Sequence, residues 1–431
     1  MAAGLGTRMR SSVPKHLHPL LGRRMVDWVL VAARELGADP LVVVAAPQTA
    51  PLLDGIEVAI QERPLGTGDA VRSARDALEG RTSDVLVLSG DTPRLTSALL
   101  RELVATHRQQ DAAATVLTFV PDDARSYGRV IRGEDGHVRA IVEARDATPE
   151  QLAVRESNSS IYVFRSELLW PVLDRLEPAN AQNELYLTDA VRLLAENGET
   201  VAAHVADDPD ETEGVNTRVE LAVATGALRD RINEAHMLAG VTLVDPSSAW
   251  IEPSVELEPE IVIHPFVVLR GHTRVREGAV IQPHTVAVDA EIGPGAIVGP
   301  FCYLRPGSVL EADSKAGTFV EIKNSRIGAR TKVPHLSYIG DAEIGEDTNI
   351  GAGAITANLG HDPGASKERT RIGKNVRTGI QNGFIAPVEV GDGAWTGAGT
   401  VITTDVPADA LAVGRAPQEN KEGWAARRRN E

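Results

Sequence analysis

The chain has 431 residues, a formal net charge of −16, 42% hydrophobic residues and one cysteine, Cys302. This length predicts two or three domains. The negative charge argues against a nucleic-acid partner, because a phosphate backbone is bound by a basic face, and one cysteine excludes an intramolecular disulfide. There is no apolar run of membrane-spanning length and no secretory signal, so we expect a cytoplasmic protein without membrane insertion.

The first half of the chain alternates strand-like and helix-like segments. Apolar strand-like runs cover residues 41–46, 85–88, 114–119 and 160–164, and helix-like segments include residues 26–36 and 69–78. This alternation predicts an α/β domain over residues 1–217 with a largely parallel sheet. Ligands of such sheets gather at the carboxyl ends of the strands.

A glycine-spaced loop near the start of the chain predicts contact with phosphate. Gly4 and Gly6 precede Arg8, and glycines let backbone N–H groups approach phosphate oxygens closely while Arg8 neutralises their charge. Lys15, after Pro14, adds a second cation. A loop of this composition also occurs in proteins that bind no phosphate, so its interpretation depends on the rest of the chain.

Two later segments predict contacts with a nucleotide and a metal. Gln61 is followed five residues later by Gly66 and Thr67, in a loop able to contact a base or sugar edge. Asp91 comes just after the strand-like run that ends at residue 88, which is a suitable position for a magnesium ligand. The alternative for Asp91 is the N-cap of the following helix.

Residues 218–240 have the apolar spacing of a helix, which predicts an arm between two domains. From residue 241 to the end, aliphatic residues recur every six positions, with a few five-residue steps. Examples are Ile251, Leu257, Ile263, Leu269, Val275, Ile281, Ile292, Val298, Leu304, Leu310, Ile322, Ile327, Val333 and Ile339. A period of six fits neither a helix nor a plain strand.

The repeat predicts a coil of short strands, three to a rung, with the aliphatic residue inside and small residues at the corners. The low aromatic content of 4%, with 39 glycines and 25 prolines, suits such a fold. The break between Ile350 and Ile372 predicts an inserted loop, and such insertions usually lie on a binding face.

Polar side chains gather in the middle of the repeat. Arg305 and Lys323 are 18 residues apart, which on a three-sided coil returns them to the same face as a pair of cations for a phosphate. His335 can deprotonate an ammonium at neutral pH because its own pKa lies nearby, and Tyr338 and Asn349 lie on neighbouring rungs. The alternatives are a surface histidine and a solvated basic patch.

Together these features resemble the bacterial bifunctional N-acetylglucosamine-1-phosphate uridyltransferase / glucosamine-1-phosphate N-acetyltransferase family. The motifs in the family's order and spacing are residues 2–9, Pro14-Lys15, Gly66-Thr67-Gly68, Gly90-Asp91, Tyr127-Gly128-Arg129, Ile141-Val142-Glu143, Asn158, Tyr186-Leu187-Thr188-Asp189, Glu213-Gly214-Val215-Asn216 and, near the end, Gln418 with Glu422-Gly423-Trp424. The resemblance covers essentially the whole chain. It implies a Rossmann-like α/β nucleotidyltransferase domain, a left-handed parallel β-helix of hexapeptide repeats over residues 241–431, and a homotrimer.

For the first half, the resemblance implies uridyl transfer from UTP to N-acetylglucosamine 1-phosphate with Mg²⁺. Asp91 and Asn216 would hold the metal, and Arg8 and Lys15 would be the catalytic cations that face the phosphates. The other substrate-binding residues that it implies are Ala2, Ala3, Gly4, Gln61, Gly66, Thr67, Ser89, Gly90, Gly128, Glu143 and Asn158.

For the second half, the resemblance implies prior acetyl transfer from acetyl-CoA to glucosamine 1-phosphate. His335 would be the general base, Arg305 and Lys323 would bind the phosphate, and Tyr338 and Asn349 would bind the sugar. The residues implied to contact acetyl-CoA are Ala352, Asn358, Ile380, Ala398 and Arg415.

The chain departs from the family's pattern in several places. The family has an apolar strand before the first glycine loop, whereas this chain begins almost at the loop, so we expect a truncated first strand. Other departures are Asn158-Ser159-Ser160 for Asn-Thr-Gly, Asn358-Leu359-Gly360 for Asn-Tyr-Asp, and Ile380 for a serine that contacts CoA. Two other functions remain open: a sugar-1-phosphate nucleotidyltransferase whose β-helix only assembles the oligomer, and an inactive regulatory or scaffold subunit.

Overall fold

The computed structural model describes residues 1–4, 6–124, 126–359 and 366–429. The chain divides into two compact units, Met1–Leu228 and Arg229–Glu431. Leu5 of the first glycine loop and Gly360 of the inserted loop lie outside the described residues. No helix in the described part of the chain is long and apolar enough to cross a membrane.

The first unit is an α/β domain. Its helices are α1 (Met25–Leu36), α2 (Thr67–Arg72), α3 (Arg75–Leu78), α4 (Ser97–Gln109), α5 (Pro149–Leu152), α6 (Ser166–Leu173) and α7 (Leu187–Glu196), with 3₁₀ turns at Thr7–Met9, Lys15–Leu17, Ala50–Leu52 and Pro209–Glu211. Its strands are β1 (Pro19–Leu20), β2 (Arg23–Arg24), β3 (Val42–Ala45), β4 (Glu57–Ile60), β5 (Asp84–Val87), β6 (Ala114–Phe119), β7 (Arg129–Arg132), β8 (Val138–Val142), β9 (Ser157–Arg165) and β10 (Val201–Val205). Helix α8 (Arg218–Leu238) spans the predicted arm.

The main sheet of this unit is centred on the long strand β9. The strand order is β10-β6-β9-β7-β8, and β5 also pairs with β9. Strands β6 and β10 are parallel, but β9 runs antiparallel to β5, β6 and β7, so the pairings of the described strands are mixed. Helices pack on the sheet through buried side chains such as Leu100, Leu103 and Trp170, and this burial contributes about 1.5–3 kcal/mol for each large side chain.

Residues Met1 and Ala2 lie between β3 and β5. The Ala2 N–H donates to Val44 O at 2.7 Å, and the Met1 amino group donates to Leu88 O at 2.7 Å. Strands β3 and β4 form a separate parallel pair. Met1 and Ala2 therefore hydrogen-bond to segments at the carboxyl ends of β3 and β5.

The second unit is a parallel β-helix, as the six-residue period predicts. One face consists of β11 (Thr242–Leu243), β14 (Val262–Ile263), β17 (Val280–Ile281), β20 (Ile297–Val298), β23 (Lys315–Thr318) and β26 (Lys332–His335). The second consists of β12 (Trp250–Ile251), β15 (Val268–Arg270), β18 (Val286–Val288), β21 (Tyr303–Leu304), β24 (Glu321–Lys323), β27 (Tyr338–Gly340), β29 (Ile355–Ala357), β31 (Gly383–Ile385) and β34 (Val401–Ile402). The third consists of β13 (Glu256–Leu257), β16 (Arg274–Val275), β19 (Glu291–Ile292), β22 (Val309–Leu310), β25 (Arg326–Ile327), β28 (Ala342–Ile344), β30 (Thr370–Ile372) and β32 (Val388–Val390). Near the end, β33 (Trp395–Thr396) pairs with β35 (Leu411–Ala412), and helix α9 covers Trp424–Arg429.

The register of the coil keeps one aliphatic ladder inside it. Leu304 pairs with Ile322, and Ile322 pairs with Ile339 one rung later. All three side chains are completely buried. Because the strands are only a few residues long, each rung depends on its neighbours for burial, which is the stability pattern of a solenoid.

The inserted loop leaves the coil after β29 and returns at β30. Ile344 still pairs with Ile372 across the insertion, so the repeat continues unbroken. Within the described part of the loop, Leu359 bridges Lys367 in antiparallel fashion, and the Glu368 N–H donates to Asn358 O at 3.0 Å. The base of the loop is therefore closed by one antiparallel bridge.

Candidate active sites

The first cluster joins residues from the start, middle and end of the α/β unit. The Lys15 ammonium forms a close ion pair with the Asp91 carboxylate and donates to Asn216 Oδ1 at 3.0 Å. Arg8 donates to the same Asn216 oxygen at 2.8 Å, and Ser89 Oγ donates to Asp91 Oδ1 at 2.6 Å. The two predicted cations and the two predicted metal ligands thus meet at one point.

Electrostatics keep Asp91 ionised in this cluster. Burial favours a raised pKa for Asp91, but the Lys15 ammonium and the Ser89 hydroxyl outweigh it and hold the pKa below its ordinary value. Burial lowers the pKa of the neighbouring His16 to about 4, so its imidazole is neutral at pH 7. The Lys15 ammonium therefore balances the Asp91 charge by direct contact.

The backbone explains how these residues meet. Strand β5 ends just before Ser89, and the Val215 N–H donates to Asp91 O at 2.8 Å, which fixes the segment that carries Asn216. Gly6 has φ 59°, and a Cβ there would lie 2.5 Å from Lys15 Cβ, so the first loop requires glycine at this position. Close approach of the loop to Lys15 depends on that missing side chain.

The helix after Asp91 has a different N-cap. Thr96 Oγ1 accepts a hydrogen bond from the Leu99 N–H at 3.2 Å, at the start of α4. The N-cap alternative for Asp91 is therefore wrong, since the residue that satisfies the free amides of this helix is Thr96.

The Asp91 and Asn216 side chains fit a magnesium ion. They present one carboxylate and one amide oxygen, which are hard donors, and Mg²⁺ is usually held by few protein oxygens together with phosphates and water. Both oxygens already contact one cation, the Lys15 ammonium. Within the described residues, no group of three or more His, Cys, Asp or Glu side chains is placed to hold a metal.

A second group of predicted residues lies on the loop before α2. The buried Gln61 donates from Nε2 to Gly66 O at 3.1 Å and to Asp69 Oδ2 at 2.9 Å. Thr67 Oγ1 accepts a hydrogen bond from the Leu187 N–H at 3.0 Å. The structure therefore brings Gln61, Gly66 and Thr67 together, whereas Ala3 and Gly4 lie on the separate first loop.

The predicted sugar-phosphate residues also lie together. The Asn158 N–H donates to Gly128 O at 2.9 Å, and a Cβ on Gly128 would lie 3.5 Å from Glu143 Oε1. Asn158 Nδ2 donates to the Tyr162 hydroxyl at 2.8 Å, while Thr188 Oγ1 donates to Glu143 at 3.4 Å. Burial, together with the neighbouring Asp146 and Asp189 carboxylates, raises the pKa of Glu143 above its ordinary value.

On the coil, Arg305 and Lys323 are neighbours on adjacent rungs. They follow Leu304 and Ile322, which pair with each other, and both point outward because the residue before each is buried. Arg305 forms an ion pair with Glu321 at 2.8 Å, and Glu321 pairs in register with Tyr338. The predicted 18-residue spacing therefore places Arg305 and Lys323 on one face, and Tyr338 lies on the same face through its pairing with Glu321.

His335 ends strand β26, on the neighbouring face. Its imidazole is exposed, and its carbonyl accepts from Ser337 Oγ at 2.7 Å and from the Gly353 N–H at 3.2 Å. Among the described residues, the imidazole forms no hydrogen bond, and it has no ion pair with a carboxylate. Two residues separate His335 from Tyr338, and Asn349 bridges to Lys332 on the same strand as His335.

Three of the predicted CoA residues occupy successive rungs near one corner. Ala352 O accepts from the Gln381 N–H at 2.7 Å, and Ile380 O accepts from Gly399 N–H at 2.8 Å, next to Ala398. Ile380 is exposed, as is Arg415 after the last strand. Asn358 lies elsewhere, with its amide against the Asp341 carboxylate.

Comparison with known proteins covers the full length of the chain. The MobA-like NTP transferase domain family matches residues 1–191. The "Bifunctional protein GlmU" of Mycobacterium bovis (strain BCG / Pasteur 1173P2) is 48% identical over 457 aligned positions, which cover 100% of this chain and 92% of that protein. The protein of the same name from Streptomyces coelicolor is 47% identical, and the aligned positions cover 100% of this chain and 94% of that protein. This chain belongs to the GlmU family.

Two residues of this GlmU-family chain were missed by the sequence analysis. Asp341 lies 4.0 Å from the Lys323 ammonium and accepts from Asn324 Nδ2 at 2.5 Å. A hydrogen bond with Lys367 from the inserted loop, together with desolvation, lowers the pKa of Lys323. The rung here is 17 residues, because Lys323 pairs with Gly340, so the repeat predicts a position next to Asp341 but not Asp341 itself. Lys367 has no such signal, because its position depends on the loop.

Proposed function

We propose that this GlmU-family enzyme makes UDP-N-acetylglucosamine in two reactions at two sites. Acetyl transfer from acetyl-CoA to glucosamine 1-phosphate is assigned to residues 241–431, and uridyl transfer from UTP to residues 1–217, with residues 218–240 as the arm. Full-length similarity to proteins named bifunctional supports two activities in one chain. The presence of one polar cluster in each unit supports two sites.

The observation that carries uridyl transfer is the convergence of Arg8, Lys15, Asp91 and Asn216. In this reaction a phosphate oxygen of N-acetylglucosamine 1-phosphate attacks the α-phosphorus of UTP, and the bond to pyrophosphate breaks. The attacking oxygen is already ionised at neutral pH, so no general base is needed. Alignment and charge neutralisation therefore carry the catalysis.

Each member of this cluster has a proposed part. Asp91 and Asn216 would hold Mg²⁺, which would neutralise charge on the triphosphate. The Lys15 ammonium would face the phosphates and neutralise part of their charge. Arg8 binds phosphate from the first loop beside Ala2, Ala3, Gly4 and Gly90. Gln61, Gly66, Thr67 and Ser89 bind the nucleotide side, and Gly128, Glu143 and Asn158 bind the sugar phosphate.

Acetyl transfer is proposed to use His335 as the general base. Its exposed imidazole takes a proton from the ammonium of glucosamine 1-phosphate, and the amine then attacks the thioester carbonyl, so that a C–N bond forms while the C–S bond to CoA breaks. Arg305 and Lys323 bind the sugar's phosphate, and Tyr338 and Asn349 bind its ring. Ala352, Ile380, Ala398 and Arg415 contact acetyl-CoA, and Asn358 acts with the inserted loop.

The proposed homotrimer has a candidate contact surface on the coil. Four rings stack along one corner: Phe266, His284, Phe301 and Phe319, with centroids 4.8, 4.7 and 5.3 Å apart. The three phenylalanines are exposed, and a contiguous exposed apolar strip is typical of a protein interface. The double substitution Phe301→Ser and Phe319→Ser should shift the protein toward the monomer, as measured by sedimentation velocity. A cytoplasmic location is proposed from the substrates, UTP and acetyl-CoA.

The test of the two-site proposal is a pair of single variants assayed for both reactions. His335→Ala should lower CoA thiol release by about 10²–10⁴-fold, the usual contribution of a general base, and leave pyrophosphate release unchanged. Asp91→Ala should do the reverse. His272→Ala on the coil and Asp135→Ala on the α/β unit are matched controls outside both clusters.

Other outcomes identify the other functions. If the unaltered chain releases no thiol from acetyl-CoA with glucosamine 1-phosphate but still releases pyrophosphate, the coil only assembles the oligomer. If neither product forms, the chain is a regulatory or scaffold subunit. Loss of both reactions from either single variant contradicts two independent sites.

A further inference from the structure

A buried guanidinium lies three residues beyond the proposed metal ligand Asp91. It belongs to Arg94, whose side chain is 5% exposed. Arginine is almost never fully buried unless it is paired, because an uncompensated charge in the protein interior is costly in free energy. The carboxylates that pair with Arg94 therefore indicate what this side chain holds in place.

Two carboxylate partners of Arg94 lie in the segment that carries Asn216, residues 209–217, which we call the Asn216 segment. Arg94 Nη2 donates to Glu213 Oε2 at 3.0 Å, and Nη1 lies 3.1 Å from Asp210 Oδ2. Glu213 comes three residues before Asn216, as Arg94 comes three residues after Asp91. The ion pairs thus join the two segments close to their proposed metal ligands.

Two other contacts join the same segments. The Thr96 hydroxyl donates to Glu211 Oε2 at 2.7 Å, and the Val215 N–H donates to Asp91 O at 2.8 Å. The second contact is a neutral backbone hydrogen bond, whereas the link through Arg94 joins ionised groups, and charge-assisted hydrogen bonds are roughly twice as strong as neutral ones. We therefore expect Arg94 to hold the Asn216 segment more tightly than the backbone contact does.

The charge of this part of the chain gives a second reason for a buried arginine. Residues 207–213 include five acidic side chains, namely Asp207, Asp208, Asp210, Glu211 and Glu213. The Asp91 carboxylate and the phosphates of a bound nucleotide would repel a segment of this charge. Arg94 compensates two of these carboxylates at short range, which favours a position of the Asn216 segment beside Asp91.

We propose that Arg94 is a positioning residue for uridyl transfer, which holds the Asn216 segment in place so that Asn216 and Asp91 can share one Mg²⁺ ion. Arg94 acts through Glu213 and Asp210 and contacts neither substrate nor metal. The inference rests on the proposed function for the reaction that this position serves. Because Mg²⁺ demands near-ideal octahedral geometry, loosening of Asn216 should weaken metal binding before it harms the chemical step.

The first test is Arg94→Met, which removes the charge and keeps much of the side chain's length. Amide exchange in the Asn216 segment should be faster by about tenfold or more, because its charged link is lost, while exchange in β6 and β9 is unchanged. Affinity for the Mn²⁺–UTP complex, measured by water proton relaxation without sugar phosphate so that no turnover occurs, should fall by about 10–100-fold. Arg94→Lys keeps the charge without the planar fork and should lie between Arg94→Met and the parent.

Arg75→Met is the matched control, since Arg75 also pairs with two carboxylates of the α/β unit, Asp174 and Glu79. It should leave both the Mn²⁺–UTP affinity and the exchange of the Asn216 segment at the parent's values. Glu213→Gln removes one carboxylate partner and keeps Arg94, so it carries the test if Arg94→Met does not fold. It should weaken Mn²⁺–UTP binding by about tenfold.

Activity measurements separate this inference from the proposed function. In Arg94→Met, the Mg²⁺ concentration for half-maximal pyrophosphate release should rise by about tenfold or more, with little change in kcat at saturating Mg²⁺. If the unaltered chain releases no pyrophosphate but Arg94→Met still weakens Mn²⁺–UTP binding, uridyl transfer is wrong and the positioning role stands.

Three results would overturn the positioning role. One is parent-like Mn²⁺–UTP affinity in folded Arg94→Met or, if that variant does not fold, in Glu213→Gln. Another is an equal loss of affinity in Arg75→Met, which would show that any half-buried arginine of this unit has the same effect. The third is a parent chain that does not bind Mn²⁺–UTP, because Asp91 and Asn216 would then not form a metal site.

Discussion

The two polar clusters are assembled from the chain in opposite ways. Arg8 and Asn216 of the α/β unit hydrogen-bond across 208 positions of sequence. On the coil, Arg305 and Lys323 are 18 residues apart, which is one rung, and Asp341 directly follows Gly340, the residue that pairs with Lys323 one rung later. In a regular repeat, spacing along the sequence therefore gives position in space, whereas in the α/β unit it does not.

The two clusters also differ in their exposure to solvent. The side chains of Lys15 and Asp91 are 11% and 18% exposed, while those of Arg305 and Glu321 are 38% and 40% exposed. Ion pairs near the surface are screened and contribute little, but removing one partner of a buried pair leaves a desolvated charge. We therefore expect substitutions to be more damaging in the α/β cluster than in the coil cluster.

The largest effect is expected from Lys15→Met. This change removes the ammonium that contacts Asp91 and Asn216, so pyrophosphate release should fall by about 10²–10³-fold, in the range seen when a charge-stabilising donor is lost. Acetyl transfer should be unchanged. Arg139→Met, at an exposed ion pair of the same unit, is the control, and near-normal pyrophosphate release by Lys15→Met would remove Lys15 from the mechanism.

A large effect on stability is expected from Ile322→Ala in the core of the coil. The side chain is completely buried, and deleting such a side chain costs about 2–5 kcal/mol. Urea unfolding measured on the coil's own transition should show this loss. Val244→Ala, in the same unit and with a side chain 54% exposed, should change the free energy of unfolding by less than about 0.5 kcal/mol. Equal effects would contradict a coil that depends on its inner ladder.

Arg305→Met should produce a smaller and more specific effect. Loss of one charge-assisted hydrogen bond, worth about 1.5–3 kcal/mol, should raise the KM for glucosamine 1-phosphate by about 10–100-fold with little change in kcat. Arg274→Met, at another exposed ion pair of the coil, is the control. A fall in kcat at constant KM would place Arg305 in the chemical step and contradict phosphate binding.

The smallest effect concerns how the free energy of unfolding of the α/β unit depends on pH, through His16. The folded pKa of His16 is about 4, below its ordinary value of 6.5, so the unfolded chain binds more protons between these values. The free energy of unfolding should therefore fall as the pH drops from 6.5 to 4, and His16 contributes a slope of up to about 1.4 kcal/mol per pH unit.

His16→Gln should flatten that slope in unfolding curves recorded at a series of pH values. His137→Gln, outside the cluster, should leave it unchanged. An identical pH profile for the parent chain and His16→Gln would show that burial of this imidazole does not set the acid sensitivity of the α/β unit.

Much of the candidate site on the coil could be predicted because the repeat is strict. The period predicts that Arg305 and Lys323 share one face, and it leads to Gly340, the neighbour of Asp341, on the next rung. It did not locate Lys367, whose approach to Lys323 is set by the inserted loop. Likewise, Asn358 was grouped with the CoA residues, yet in the structure its amide contacts Asp341.

In the α/β unit, motifs predicted which residues matter but not how they contact one another. The sequence predicts either a metal ligand or a helix N-cap at Asp91, and in the structure the N-cap is Thr96. The ion pair of Lys15 with Asp91 and the buried neutral His16 had no local pattern, because each results from the packing of segments far apart in the chain.

By itself, the sequence determined the fold class, the helical arm and the inward ladder of the coil, since hydrophobic periodicity is a local property of the chain. Only the tertiary structure decided that Arg8, Lys15, Asp91 and Asn216 share one point, and that Arg94 pairs with two carboxylates of the segment that carries Asn216. The physical reason is that side-chain desolvation, ion pairing and strand pairing depend on which distant segments meet.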